Sequence, residues 1–286
     1  MLTILQAIVL GLLQGLTELF PISSLGHSVV IPSLLGWHVR QDDPLFVVFL
    51  VATHLATATV LFLFFWQDWV RIFRGLWRSF LAREIRADDT YAKMGWLLVA
   101  ATVPAGLLGL LLQDTIRSLL ASAQIAAAFL TINGLILFAA EKLRKRSNDK
   151  QSQSQSDKNI SRLSWLAAFG VGAAQAGALI PGISRSGSSM AGGLLAGLNN
   201  EDAARFSFLL ATPIIAAAAV LKLPELFQPS AQPVLGATLI GALCAAAAAY
   251  VSVRFLVKYF QTRTLAPYAA YCVVAGIVFS LILLAR

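Results

Sequence analysis

Eight apolar stretches occupy most of the 286 residues, and two of them are broken in the middle. A bilayer core about 30 Å thick needs roughly 20 helical residues. Six stretches meet that length, at about 44–66, 92–112, 119–141, 203–223, 232–256 and 266–285. The other two, 2–40 and 163–199, are interrupted by PISSLGH at 21–27 and PGISRSG at 181–187. Clustered proline and glycine divide a helix into short halves, so each of these predicts a re-entrant helical hairpin. The fold class is therefore an all-α polytopic membrane protein with six full spans and two hairpins. Only 13% of the residues are charged and 58% are hydrophobic, whereas a soluble domain carries about 25% charged residues. A soluble globule is excluded.

The net charge of +8 does not indicate nucleic acid, because a nucleic-acid binder displays its basic charge on a wet surface. Cys244 and Cys272 lie in apolar runs without CxxC spacing, so neither a disulfide framework nor a thiolate metal site is indicated. The apolar N-terminus is not a cleaved signal peptide: no Lys or Arg precedes it, Glu18 lies inside it, and no small-x-small cleavage site follows.

Basic loops set the orientation. Arg71, Arg74, Arg78, Arg83, Arg86 and Lys93 follow the first span, and Lys142, Arg144, Lys145, Arg146, Lys150, Lys158 and Arg162 follow the third. With both hairpins returning to the side they entered from, Arg205, Arg254, Lys258 and Arg263 join them, and seventeen of 22 basic residues are cytoplasmic. The outside receives Arg40, Arg117, Lys222 and Arg286. The first hairpin then opens outward and the second toward the cytoplasm. The polar linker SNDKQSQSQSDKN at 147–159 is low in complexity and predicts a disordered cytoplasmic connector.

A shift of 161 residues superposes Gly11 on Gly172, Gln14 on Gln175, Ile22 on Ile183, Ser23 on Ser184 and Gly26 on Gly187. Each half is then one hairpin plus three spans. Three is odd, so the halves are inverted relative to each other. The single membrane domain divides into a repeat at about 1–141, a linker at 142–162 and an inverted repeat at 163–286. Such repeats bring broken helices tip to tip near the bilayer midplane.

Glu18 is the only acid well inside a membrane segment, and Arg185 the only basic residue in the middle of a hairpin. An ionised residue there costs roughly 2.5 to 3.5 kcal/mol on insertion scales, so each must face a wet cavity, a partner or a metal. A salt bridge holding the two tips together would satisfy both. The neighbouring residues point further. Gln14 and Glu18 stand four apart and share one helical face, offering oxygen ligands suited to Mg²⁺ or Ca²⁺. Ser23 and Ser24 follow Pro21, with His27 one turn on, and Ser184, Ser186, Ser188 and Ser189 surround Arg185 where another half-helix starts. A helix N-terminus with an arginine is an anion site. A hydroxyl, an imidazole, a carboxylate and an arginine are the parts of phosphoryl transfer, and a site at membrane depth suits a lipid phosphate.

These residues resemble a known family, the undecaprenyl-pyrophosphate phosphatases of bacteria, also called bacitracin-resistance proteins. The resemblance runs over essentially the whole chain. The family's first motif, Glu or Gln followed by xxxE, matches Gln14 to Glu18 and continues into PISSLGH; its second, PGxSRSxxT, matches PGISRSGSS from Pro181 to Ser189. Gln14 stands where other members carry a second carboxylate, and Ser189 replaces the usual Thr. The resemblance implies hydrolysis of undecaprenyl pyrophosphate with a divalent cation, in the bacterial inner membrane, at a site facing the periplasm or exterior. It assigns Glu18 and Gln14 to the metal, and Arg185 with Ser23, Ser184, Ser186 and Ser189 to the pyrophosphate. The nucleophile is Ser24 or His27, the preferred reading being Ser24 with His27 as base. The partners would be the lipid substrate and membrane lipids, with a homodimer as the candidate assembly.

His38 sits near the outer surface, and His54, within the first span, reads as a membrane histidine bonded to a neighbouring helix. The rival reading is a lipid-phosphate transporter or flippase, since broken inverted repeats are a transporter signature. It has little use for Ser24 and His27 one turn apart. The other large class of membrane lipid phosphatases would require a KxxxxxxRP element and a histidine after the SR motif; no histidine follows Arg185.

Overall fold

Backbone groups in a bilayer have no water to bond with, so each apolar stretch satisfies its own carbonyls and amides as helix. The structure, a computed structural model, describes residues 2–37, 43–112, 122–144, 153–222, 224, 228 and 232–285. Among these residues there are twelve α-helices and no strand. The first half contributes α1 (Ile4–Thr17), α2 (Ser24–Leu34), α3 (Pro44–Phe64), α4 (Trp66–Ala82), α5 (Thr90–Leu111) and α6 (Ala123–Leu143). The remainder comprises α7 (Gln153–Ser161), α8 (Trp165–Ala176), α9 (Arg185–Leu195), α10 (Asn200–Lys222), α11 (Gln232–Tyr259) and α12 (Ala266–Leu284). His38, Arg40, Arg117, Lys145, Arg146, Lys150, Arg286 and linker positions 147–152 lie outside the described residues.

Helices α3, α5, α6, α11 and α12 are long and apolar enough to cross a membrane, which makes this a multi-pass membrane protein. The sixth expected span is α10, whose first turn carries Glu201 and Asp202. It is a central helix: Phe206, Phe208, Leu209 and Leu210 are fully buried. Both broken stretches are helix pairs, α1 with α2 and α8 with α9, the second joined through a short 3-10 turn at Gly177–Leu179.

Two segments differ from the sequence reading. The basic loop after the first span is the amphipathic helix α4, which buries Ile72, Gly75 and Ser79 on one side only. The linker expected to be disordered is helical from Gln153, as α7. Its polar side chains are what order it. Asp157 accepts from Arg205 Nη1 at 2.6 Å and from the Tyr91 hydroxyl at 2.6 Å, and Asn159 donates to Asp202 at 2.9 Å.

Helix α1 packs against α11, and α8 packs against α5; α3 pairs with α10 and α6 with α12. Each half thus lends its first helix to the other. Close approaches at both of these crossings need glycine. A Cβ on Gly11 would lie 2.2 Å from the carbonyl oxygen of Gly241, and one on Gly172 would lie 2.1 Å from that of Ala101.

The basic loops gather at one end of the molecule. Arg205 donates to both Asp68 and Asp157, joining α10, α4 and α7. Asn200 donates to the carbonyl of Arg263, and Glu141 accepts from the backbone N–H of Leu265 while pairing with Arg144.

Candidate active site

Both hairpin breaks follow one local plan. Ser23 caps α2, accepting from the Gly26 N–H at 3.2 Å, and Ser184 caps α9, accepting from Gly187 at 3.1 Å. An N-cap hydroxyl satisfies one of the free amides that every helix start exposes. Ser23 adopts φ 70°, a region few side chains occupy outside functional sites. The chain around each break is held by the other. Asn133 of α6 donates to the carbonyl of Pro21 at 3.0 Å and accepts from the N–H of Ser184 at 3.0 Å. Ser186 donates across to the carbonyl of Phe20 at 3.1 Å. The two tips meet, one on each side of a single asparagine.

This arrangement converges on Glu18, only 5% exposed. Arg185 Nε donates to Oε1 at 2.9 Å, and the Ser24 hydroxyl donates to Oε2 at 2.5 Å. Gln14 Nε2 reaches Oε2 at 3.2 Å, and His54 Nε2 lies 3.4 Å from the same oxygen. Ser24 and Arg185 are the first residues of α2 and α9. One carboxylate therefore receives a hydroxyl from one tip and a guanidinium from the other.

Arg185 keeps capacity in reserve. Its Nη1 donates to the Ser207 carbonyl at 3.4 Å, while Nη2 is buried without a partner. An unpartnered guanidinium nitrogen held beside a helix N-terminus is suited to an incoming anion. Gln14 Oε1 is likewise buried and unpartnered, and an amide oxygen beside a carboxylate fits a hard divalent cation. No cluster of three or more His, Cys, Asp or Glu is present among the described residues. Most ligands of such a cation would come from substrate and water.

His27 is not joined to Ser24. Its Nδ1 lies 2.7 Å from the Ser23 carbonyl oxygen, and its Nε2 lies 2.8 Å from the Tyr271 hydroxyl. Ser189 donates to the Arg185 carbonyl at 2.9 Å and shares a hydrogen bond of 2.6 Å with Ser207. Ser184 and Ser186 lie 3.1 Å apart, and their other bonds cap α9 and join the tips. Sequence reasoning did not find Asn133, Ser207 or Tyr271, and it read His54 as a helix contact. Asn133 did carry a signal, as a lone amide in a transmembrane helix. For Ser207 and Tyr271 nothing local distinguished them.

The fold and site together define a multi-pass membrane protein in which two broken helix pairs meet at one buried polar centre around Glu18 and Arg185. The family model described as bacitracin resistance protein BacA matches residues 7–278. The chain belongs to this family. It is 46% identical to an undecaprenyl-diphosphatase of Mycolicibacterium paratuberculosis over 293 residues, covering 96% of this chain and 95% of that one. It is 45% identical to the undecaprenyl-diphosphatase of Mycobacterium avium, with the same coverage. A third relative, from Granulibacter bethesdensis and also an undecaprenyl-diphosphatase, is 43% identical over 96% of this chain and 94% of its own.

Proposed function

We propose that this chain hydrolyses undecaprenyl pyrophosphate to undecaprenyl phosphate and inorganic phosphate, the reaction named for its relatives. Regenerating the monophosphate would return the carrier lipid to cell-wall synthesis, in keeping with the bacitracin-resistance description of the family. The observation that carries this reading is the Ser24 hydroxyl, 2.5 Å from one oxygen of Glu18 while Arg185 occupies the other.

In this account Ser24 Oγ attacks the terminal phosphorus as its proton passes to Glu18 Oε2. The bond from that phosphorus to the bridging oxygen breaks, and the electron pair leaves with the lipid monophosphate. Arg185 Nη2 and the α9 N-terminus carry the charge on the transferring group. Water then attacks the serine phosphate. The Ser24–phosphate bond breaks, Ser24 recovers its proton, and phosphate leaves. His54 faces Glu18 from α3 and completes the polar wall; His27 with Tyr271 fixes the start of α2. Gln14 Oε1 and Glu18 would hold Mg²⁺ or Ca²⁺, which supplies positive charge to the pyrophosphate when bound. Ser23, Ser184, Ser186 and Ser189 shape the nest around that anion.

The exchange of partners between the halves, and the aligned glycines and caps, support an inverted repeat. The basic end is then cytoplasmic and the first hairpin opens to the periplasm. A cysteine placed at Ser28 should react with an impermeant reagent from outside only. The activity itself is tested in vesicles by following released phosphate and lipid movement between leaflets together. Phosphate release with no requirement for lipid transfer is the expected result. Transfer without phosphate release would make the chain a lipid-phosphate transporter.

A further inference from the structure

Helix α4 has three faces. Residues Ile72, Gly75 and Ser79 are buried against the protein. Trp66, Phe73, Trp77 and Phe80 recur at helical spacing on an exposed apolar face, with Trp77 64% and Phe80 66% exposed. Arg71, Arg74 and Arg78 form an exposed basic edge beside it. A helix with an aromatic face and an arginine edge lies in the membrane–water boundary, rings among the acyl chains and guanidinium groups at the headgroups. Its position agrees, since only Phe65 separates the end of the span α3 from the start of α4.

Two of the three arginines are occupied. Arg71 donates to Tyr91 at 2.8 Å, and Arg78 donates to Asp89 at 2.9 Å. Arg74 has no hydrogen-bond or ion-pair partner among the described residues, and it stands at the lip of a groove of about 680 Å³ between α4 and α5. Phe73, Trp77 and Phe80 form one wall of this groove, and Trp96 and Val99 form the other. The Trp96 indole is fixed by a 2.9 Å bond to Ser79. Below Val99, the exposed Val103 and Leu107 continue at four-residue spacing down α5. An unpaired cation therefore sits at the head of a continuous apolar track.

We propose that this groove binds one anionic phospholipid of the surrounding bilayer. The phosphate would rest on Arg74, and an acyl chain would run between the α4 rings and Trp96 toward Leu107. Charge complementarity selects this occupant. A second copy of the chain would have to bring a carboxylate to Arg74 and apolar surface to the track, whereas an anionic lipid carries both. The site is separate from the Glu18 centre and does not depend on the activity assigned there.

The test uses the full chain in phosphatidylcholine vesicles. Tryptophan quenching is titrated with phosphatidylglycerol carrying brominated acyl chains, and with phosphatidylcholine brominated in the same way. One charge-assisted contact predicts about a tenfold preference in apparent affinity for the anionic lipid. Arg74→Gln should abolish that preference, and Arg254→Gln, on a remote exposed arginine, should keep it. Val99→Phe, which narrows the groove and leaves Arg74 in place, should weaken quenching by the anionic lipid. Equal quenching by the two lipids in the unmodified chain, or a preference that survives Arg74→Gln, would overturn the proposal. So would a stable dimer that Trp77→Ala dissociates, because the groove would then be an interface between copies.

Discussion

A carboxylate at membrane depth persists only when its charge is answered, and Glu18 is answered on both oxygens by groups from different tips. Converting it to an amide removes the acceptor for the Ser24 proton but retains its shape. Glu18→Gln should lower phosphate release by about 10²- to 10⁴-fold, the usual span for a lost general base, with little change in expression. Asn133 has a different task. Asn133→Leu removes the bonds to Pro21 and Ser184, leaving the Ser184 N–H unsatisfied at about 1–3 kcal/mol and the Pro21 carbonyl with only the long bond from Cys272 Sγ at 3.8 Å. Its melting temperature in detergent should fall, and turnover should fall with it because the tips no longer hold register. Glu18 and Arg185 were legible in the sequence because an ionised residue in an apolar run is costly and must be explained. Pairings made only by the folded chain were not. His54 meets Glu18 across 36 positions and Ser207 meets Ser189 across 18, and neither spacing belongs to a local pattern.

Among the elements, the aligned residues of the two halves have physical reasons to match. Ser23 and Ser184 are caps, Gly26 and Gly187 are the amides they cap, and Gly11 and Gly172 sit at helix crossings. Gly11→Ala and Gly172→Ala should each destabilise the protein by about 1–3 kcal/mol, since the new methyl meets backbone that must move. Gly170→Ala is the control. Nothing lies within 4 Å of its Cβ position, so it should be neutral or stabilise by up to about 1 kcal/mol through helix propensity. Chemical denaturation of the three variants separates close packing from propensity. The hairpins were readable because proline and glycine interrupt a hydrophobic run. Helix α4 is hidden in the sequence because its arginines read as a basic loop, although Trp66, Phe73, Trp77 and Phe80 recur among them at helical spacing. Helix α7 was hidden because a polar composition looks disordered until Arg205 supplies partners for it.

Across the whole molecule, charge is divided by function. Arg205 ties three helices together through Asp68 and Asp157. Arg205→Ala leaves Asp68 and Asp157 buried without their cation. Breaking such a pair costs about 3–5 kcal/mol, so limited proteolysis should cut the α6–α8 connection faster than in the unmodified protein. The same α10 helix carries Ser207 against Arg185 and Ser189, so the basic end and the buried centre share one rigid element. Whether two hairpin tips make one hydrolytic site is read from the phosphate released from undecaprenyl pyrophosphate by the purified chain and by Ser24→Ala, Glu18→Gln and Arg185→Ala. Release by the unmodified protein and a loss of at least about 10²-fold in each variant are expected, whichever tip the change falls on. Undiminished release by Arg185→Ala would contradict a site made by both tips.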